Sequence, residues 1–134
     1  MFVRSTKSPS FHSLAATRDF TYVEDTCRGL LSIAKMDAGV GEVFNIGSNE
    51  EIAIGDLASL IGDIMGVSAT VVADPARVRP ATSEVLRLRC DNTKLQRTGA
   101  FLPQIPLAEG LARTVRWFRD PANLTRYKAH LYNV

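Results

Sequence analysis

The chain has 134 residues, 46% of them hydrophobic and 22% charged, and sixteen basic against fourteen acidic residues leave a net charge of +2. That length accommodates one domain and excludes two full lobes, and the composition excludes the disordered and low-complexity classes. The charge is too small to attract nucleic acid without a local basic patch, so we expect no nucleic-acid partner.

Neither a secretory signal nor a membrane span is visible in the sequence. The start of the chain is basic and hydroxyl-rich but lacks a continuous apolar core, and no window approaches the length of a transmembrane helix. We therefore expect a cytoplasmic protein with no membrane partner.

Residues 1–17 scatter Ser, Thr and Pro among isolated apolar residues, and we expect this segment to be irregular. A β-prone run over 20–23 then leads into a helix that starts near Asp25. The predicted inner face of this helix consists of Val23, Cys27, Leu30, Leu31 and Ala34. We interpret this apolar stripe, like those of the later helices, as core.

The middle of the chain continues the alternation of strands and helices. Residues 42–46 are predicted to form a compact apolar strand that ends at Gly47. The inner face of the next helix consists of Leu57, Leu60, Ile61, Ile64 and Met65. Gly66 is predicted to end that helix in a left-handed turn, and residues 70–73 are predicted as the following strand.

A polar loop over 74–84 precedes an extended piece, 85–90, in which alternating Arg87 and Arg89 indicate one solvent face. Asp91 can cap a brief helix after it. The predicted inner face of the last helix consists of Leu107, Leu111, Thr114, Val115 and Phe118. This alternation predicts an α/β fold with a small, partly parallel sheet and packed helices.

The sequence offers no metal site. Cys27 and Cys90 lie in apolar or helical patterns and are expected to be reduced, buried thiols, with a disulfide as the lesser alternative. His12 and His130 lie in the two irregular ends of the chain, with no Cys or His at ligand spacing.

The search for catalytic groups also finds no candidate. Gly39 and Gly41 lead into a strand, whereas a dinucleotide-binding glycine loop follows a strand and opens a helix. No nucleophile elbow or acid/base pair is recognisable. Glu24 and Asp25 are adjacent, diverge on a helix, and are expected to complement its positive N-terminus.

The remaining candidates are arginines in loops or at the ends of elements. Arg18 is predicted to precede the first strand, and Arg77 and Arg79 lie in the loop after the third. Two convergent guanidinium groups at such loops match a diphosphate. The alternative reading is that these arginines are solvated surface charges.

Five motifs, in order from Arg18 to the end of the chain, are similar to those of a known family. They are RDFTYVEDTCRGLL (18–31), GEVFNIGS (41–48), RPATSEV (79–85), CDNTKLQRTG (90–99) and PLAEGLARTVRWFRD (106–120). This series resembles the C-terminal half of extended short-chain dehydrogenases/reductases of the nucleotide-sugar epimerase/dehydratase group. RPATSEV and the C-terminal end most resemble the NAD-dependent 4,6-dehydratases that act on UDP-N-acetylhexosamine-type substrates, as in legionaminic acid biosynthesis.

The resemblance implies a nucleotide-sugar-binding lobe over residues 18–134. In such enzymes this lobe holds the nucleotide diphosphate, most often of a UDP-sugar, and the N-terminal lobe holds NAD and performs the chemistry. By motif, Arg18 and Arg79 resemble the two arginines that clamp the diphosphate. Asn45 resembles a position that shapes the turn beneath the nucleotide, and Arg77 is a secondary candidate.

The sequence also departs from the family. It has no glycine fingerprint, no Tyr followed four residues later by Lys, and no catalytic Ser or Thr beside them. We therefore expect no cofactor and no catalysis in this chain alone, and we interpret residues 1–17 as a segment outside the family pattern. Two helix N-caps that are usually Ser or Thr in the family are Ala53 and Pro106 here, each loss costing about 1 kcal/mol.

A lobe that normally packs against a second lobe carries an unmatched apolar face, which predicts self-association as a homodimer. Three functions remain open. The chain is a truncated nucleotide-sugar-binding lobe, a subunit that acts in trans with a separate NAD-binding chain, or a structural or interaction module that has lost its ligand.

Overall fold

Three short strands and five helices form the part of the chain that the structure, a computed structural model, describes, namely residues 14–68 and 85–125. The strands are β1 (Thr17–Arg18), β2 (Ile52–Ala53) and β3 (Arg87–Leu88). The helices are α1 (Val23–Ala34), α2 (Ile54–Met65), α3 (Thr93–Arg97), α4 (Leu107–Arg119) and α5 (Pro121–Leu124), with a single 3-10 turn at Asp37–Gly39.

The sheet has the order β2-β1-β3, with β1 antiparallel to β2 and parallel to β3. Arg18 therefore lies on the central strand, opposite Ile52 on one side and Leu88 on the other. The mixed pairing confirms the predicted small, partly parallel sheet. The backbone continues the pairing beyond the strands, since the Gly55 N–H donates to the Leu14 carbonyl at 3.0 Å.

The helices lie where the apolar periodicity predicts them, and their ends follow local chemistry. Thr114 and Phe118, predicted on the inner face of α4, are exposed. α2 ends at Gly66, whose φ of 73° is the left-handed conformation that a Cβ disfavours. α1 begins at Val23, two residues before the predicted start, with Tyr22 as its N-cap. Asp91 accepts from the Thr93 N–H at 3.0 Å, as expected at the start of α3.

Two predicted strands are corrected by the structure, and a third lies outside the described residues. Residues 20–23 are not a strand, because β1 ends at Arg18 and Val23 already belongs to α1. Residues 42–46 are not a strand within residues 14–68 and 85–125, where the peptide groups of 43–46 form no backbone-to-backbone hydrogen bond. The third, residues 70–73, lies outside the described residues.

The segment 42–46 is held in place by side chains instead of a strand. Lys94 Nζ donates to the Val43 carbonyl at 3.0 Å and pairs with Glu42 at 2.6 Å. Ile46 packs on Gly29 of α1, where an added Cβ would come within 2.7 Å of the isoleucine side chain. These contacts fix the segment against α1 and α3.

The apolar stripe of α1 does not form the core, and this prediction was wrong. Val23 is 61% exposed, Leu30 57% and Leu31 60%, and Cys27 is exposed as a free thiol. α1 instead buries Asp25 and Gly29, on the opposite side of the helix. The expectation that Cys27 is a buried thiol is therefore wrong as well.

The core lies beneath α3 and the loop that follows it. Its buried apolar residues in the described part are Ala16, Leu95 and Phe101. Asn92 and Asp25 are buried with them, each held by hydrogen bonds. α2 packs against β2 and α4, and α4 packs against α5.

Neither of the two helices predicted to lack a side-chain cap has one. Ala53 and Pro106 occupy the N-cap positions of α2 and α4 without a side-chain hydrogen bond to the helix. Ala53 has φ and ψ of −68° and 146°, the extended conformation from which a serine hydroxyl can reach the N–H of Asp56 in the first turn. The N–H groups of Ile54 and Gly55 already donate to the Ala16 and Leu14 carbonyls. A capping side chain at position 53 would thus stabilise the start of α2.

Changing Ala53 to Ser is expected to raise the free energy of unfolding by about 1 kcal/mol, because the hydroxyl accepts from an otherwise uncapped N–H. Urea denaturation followed by circular dichroism measures this gain. Ala58→Ser, in the middle of the same helix, is the matched control and is expected to lose a few tenths of a kcal/mol. A loss at position 53 similar to that at position 58 would contradict the prediction.

Candidate functional site

Arg18 is the predicted site residue that the structure describes most fully. The sequence predicted Arg18 just before the first strand, but the residue lies within β1. Its side chain is half-buried. Arg18 Nη1 donates to the Thr17 carbonyl at 2.7 Å. The guanidinium group is therefore carried by the central strand of the sheet.

The carboxylate of Asp19 joins three segments of the chain next to Arg18. It accepts hydrogen bonds from the Ser48 N–H at 3.1 Å and the Ser48 hydroxyl at 2.6 Å. It also accepts from the Asn49 N–H at 2.9 Å and the Cys90 N–H at 3.1 Å. A single side chain thereby fixes the loop after 42–46, the end of β1 and the chain that leaves β3.

The loop held by Asp19 requires a glycine at position 47. An added Cβ on Gly47 would lie 2.3 Å from Cys90 Cβ, closer than two side chains can approach. Asn92, fully buried, donates from Nδ2 to the Gly47 carbonyl at 2.7 Å. Burial raises the pKa of the Cys90 thiol, and the charges of Asp19 and Asp91 raise it further.

Asn45 forms a structural contact in the folded chain. Its Nδ2 donates to the Asp91 carbonyl at 3.1 Å, which links the end of 42–46 to the start of α3. The role of Asn45 beneath a nucleotide stays a prediction.

Arg77 and Arg79 lie outside the described residues, in the gap between 68 and 85. The pairing of Arg18 with Arg79 around a diphosphate therefore stays a prediction. Arg87 is described, is 68% exposed on the solvent face predicted for it, and binds Glu51 with its Nε at 2.8 Å from Oε1. Hydrogen bonds from Arg87 and then Thr17 lower the pKa of the Glu51 carboxyl.

A cavity of about 350 Å³ lies beside the loop that Asp19 holds. It is lined by Phe20, Ser48, residues 50–52 and residues 103–107. Glu50 and Glu51 are among its lining residues, and the Glu51 carboxylate is bound to Thr17 and Arg87.

Asp25, which was expected only to complement the helix N-terminus, instead anchors the loop before α4. It is 1% exposed and accepts from the backbone N–H groups of Gln104 and Ile105 at 3.1 and 3.0 Å, and from Arg28. Burial acts to raise the pKa of this carboxyl, but the hydrogen bonds from Arg28 and the two N–H groups outweigh burial and leave the pKa below its ordinary value. Its neighbour Glu24 pairs with Arg113 at 2.8 Å.

Sequence reasoning did not identify Asp19 and Asp25 as structural centres. No local signal marks them, because Asp19 follows Arg18, Asp25 follows Glu24, and their backbone N–H donors lie 29 to 80 residues away in the chain. Within residues 14–68 and 85–125, no cluster of three or more His, Cys, Asp or Glu could hold a metal ion. No helix in these ranges is long and apolar enough to cross a bilayer.

The strand-to-helix junctions that the structure describes do not fit the pyrophosphate of a dinucleotide cofactor. The chain between β1 and α1, residues 19–22, contains no glycine, and α2 follows β2 directly. A dinucleotide site needs a glycine-rich turn at such a junction, where the backbone can approach the phosphates.

Comparison with known proteins gives a consistent match. The family model described as GDP-mannose 4,6 dehydratase matches residues 3–114. The UDP-N-acetyl-alpha-D-glucosaminuronate decarboxylase of Bacillus cytotoxicus is 37% identical over 110 residues, covering 80% of this chain and 34% of that protein. The dTDP-glucose 4,6-dehydratase of Streptomyces antibioticus is 34% identical, over 77% of this chain and 30% of the relative.

Solved structures show the same partial match. An epimerase from Methanothermobacter thermautotrophicus superimposes with a TM-score of 0.77 at 34% identity, over 88% of this chain and 34% of its own. The UDP-glucose 4-epimerase of Thermotoga maritima, solved with UDP-glucose, gives a TM-score of 0.69 at 32% identity, over 81% and 33%. The chain thus spans about a third of the length of these proteins.

Proposed function

The chain belongs to the GDP-mannose 4,6 dehydratase family of NAD-dependent nucleotide-sugar epimerases and dehydratases, and from this membership we propose that it is a nucleotide-sugar-binding lobe. Arg18 and Arg79 hold the two phosphates of a UDP-sugar, with Asn45 shaping the neighbouring turn and Arg77 as a secondary contact. The chain does not itself carry NAD or transfer hydride.

The observation that carries the proposal is the position of Arg18. The residue lies on the central strand, and the next residue, Asp19, fixes two further segments through hydrogen bonds of 2.6 to 3.1 Å. The backbone that carries Arg18 is thus fixed, and the guanidinium group donates to the Thr17 carbonyl at 2.7 Å, which reduces the entropy lost when it binds a phosphate. The relative from Thermotoga maritima was solved with UDP-glucose, which supports a uridine nucleotide as ligand.

The proposal leaves oxidation of the sugar to a different polypeptide segment. Relatives were solved with NAD+ bound, but their cofactor motifs have no counterpart in these 134 residues. A subunit that combines in trans with an NAD-binding chain is the form of this proposal that includes catalysis. It requires that mixing the two chains produces turnover that neither shows alone.

Isothermal titration with UDP and UDP-glucose tests the binding proposal. Arg18→Ala and Arg79→Ala are each expected to weaken UDP binding at least about tenfold, because a charge-assisted arginine–phosphate contact contributes about 1.5 to 3 kcal/mol. Arg116→Ala removes the same charge from an exposed position on α4 and is the matched control, expected to bind as the unaltered chain does.

Two results would contradict the proposal. An unchanged affinity of Arg18→Ala for UDP would show that the central strand does not contribute to the binding site. The absence of heat with UDP-, dTDP- and GDP-sugars alike would leave the interaction module as the function of the chain.

A further inference from the structure

An open groove of about 620 Å³ lies between α1 and the loop that follows α3, and we call it the α1 groove. Its walls include four residues of α1 and two of the loop: Arg28, Leu31, Ser32, Lys35, Thr98 and Ala100. The four α1 residues follow one another at intervals of three, one and three, so they share one face of the helix. The groove therefore runs along two turns of α1.

The charge of the α1 groove is positive. No Asp or Glu lines it within the described residues, whereas Arg28 and Lys35 lie on its wall seven residues apart. Lys35 is exposed and forms no ion pair with any residue of 14–68 or 85–125. Arg28 binds Asp25 through Nη2, but its side chain is 37% exposed and its guanidinium group has further N–H donors. Both cations are thus accessible to carboxylates of another molecule.

The surface between the two cations is apolar. Leu31 is 60% exposed there. The hydroxyl groups of the groove are used within the chain, since Ser32 donates to the Gly29 carbonyl at 2.8 Å and Thr98 to the Leu95 carbonyl at 2.6 Å. The groove therefore complements an apolar side chain with a carboxylate on either side of it.

We propose that the α1 groove binds an acidic helix of a partner protein, with carboxylates seven residues apart and an apolar side chain between them. Arg28 and Lys35 lie about 10 Å apart along the axis of α1. An extended segment spans that distance in three residues, whose first and last side chains point to opposite faces. A helix spans it in two turns and keeps both side chains on one face, so a helix meets both charges.

The remaining parts of this chain do not have the charge that the α1 groove requires. Residues 1–13 and 126–134 contain Arg and Lys but no Asp or Glu, and residues 69–84 contain two acidic and two basic residues. A segment without net negative charge does not complement two cations, which favours a different protein as the occupant.

Fluorescence anisotropy with the full chain and a labelled synthetic peptide tests the proposal. The peptide, three repeats of Glu-Gln-Ala-Leu-Ala-Gln-Ala, carries carboxylates at seven-residue spacing with a leucine between them, and we expect it to bind. Lys35→Glu is expected to weaken binding at least about fivefold, because an attraction becomes a repulsion. The variant is expected to keep its circular dichroism spectrum, since Lys35 is exposed. Arg116→Glu makes the same charge change on the exposed surface of α4 and is the matched control, expected to bind as wild type.

Three results of this titration would overturn the proposal. They are no binding at millimolar peptide, equal binding of a peptide in which every Glu is Lys, and an unchanged affinity of Lys35→Glu. Light scattering tests a second copy as the occupant, because self-association that Lys35→Glu abolishes would assign the α1 groove to that copy instead. UDP binding is expected to be the same in Lys35→Glu and wild type, since Arg18 is not among the lining residues, so failure of one proposal leaves the other standing.

Discussion

Replacing Asp19 with alanine is expected to lower the free energy of unfolding by about 3 kcal/mol. The change leaves the N–H groups of Ser48, Asn49 and Cys90 without their acceptor. Each hydrogen bond to a charged group contributes about 1.5 to 3 kcal/mol, but water replaces part of the loss and the contributions do not add. Urea denaturation measures the change.

Two variants control the interpretation of Asp19→Ala. Asp19→Asn keeps the shape and one acceptor oxygen, and is expected to lose about half as much. Asp63→Ala removes an exposed carboxylate from α2 and is expected to change stability by less than about 0.5 kcal/mol. If Asp19→Ala and Asp63→Ala proved equally stable, the joining role of Asp19 would be wrong.

The Asp19 variants also connect stability to function. Because Asp19 follows Arg18 directly, loosening its loops removes the fixed frame of the guanidinium group. Asp19→Asn at a temperature where it is fully folded is therefore the variant to compare with Arg18→Ala in UDP binding.

Replacing Asp25 with asparagine is expected to cost about 2 to 3 kcal/mol near pH 7 and much less in acid. The carboxylate is buried and accepts from Arg28 and from two backbone N–H groups of the loop before α4. An asparagine amide keeps one acceptor and turns an N–H₂ group toward those donors.

The pH dependence of the Asp25 effect follows from the direction of its pKa shift. Because the pKa of this carboxyl is lower in the folded chain than its unfolded value of about 3.9, the carboxylate stabilises the fold above that value. The stabilisation is lost as the pH falls through the folded pKa. The difference in stability between wild type and Asp25→Asn is thus expected to be constant from pH 7 to about pH 5 and to shrink below about pH 4.

A matched measurement separates this effect from general acid unfolding. Glu50→Gln, at an exposed carboxylate, is expected to track wild type at every pH. A stability difference between wild type and Asp25→Asn that stays the same down to about pH 3 would show that the Asp25 charge does not act as described.

The sequence predicted the helices well because their signals are local. The period of α2 and the glycine at position 66 are set by neighbouring residues, and the structure has both where expected. The missing caps at Ala53 and Pro106 were predictable for the same reason, since a cap is a property of one residue and the next turn.

The sequence did not reveal what each apolar face contacts. The apolar stripe of α1 has a clear helical period, but periodicity describes the helix and not the surface opposite it. α1 packs inward through Asp25 and Gly29 instead. Asp19 was missed because a single carboxylate has no period, and its donors lie 29 to 71 residues away in the chain.

The segment 42–46 has a further consequence, for the behaviour of the chain at high concentration. Its Val43 is 79% exposed, and an exposed apolar run of high β-propensity is a template on which strands of other chains can grow into fibrils. The ion pair between Glu42 and Lys94, at 2.6 Å, places two charges at the start of this stretch. These charges act as gatekeepers, so the colloidal stability of the protein rests in part on a surface ion pair that adds little to its folding.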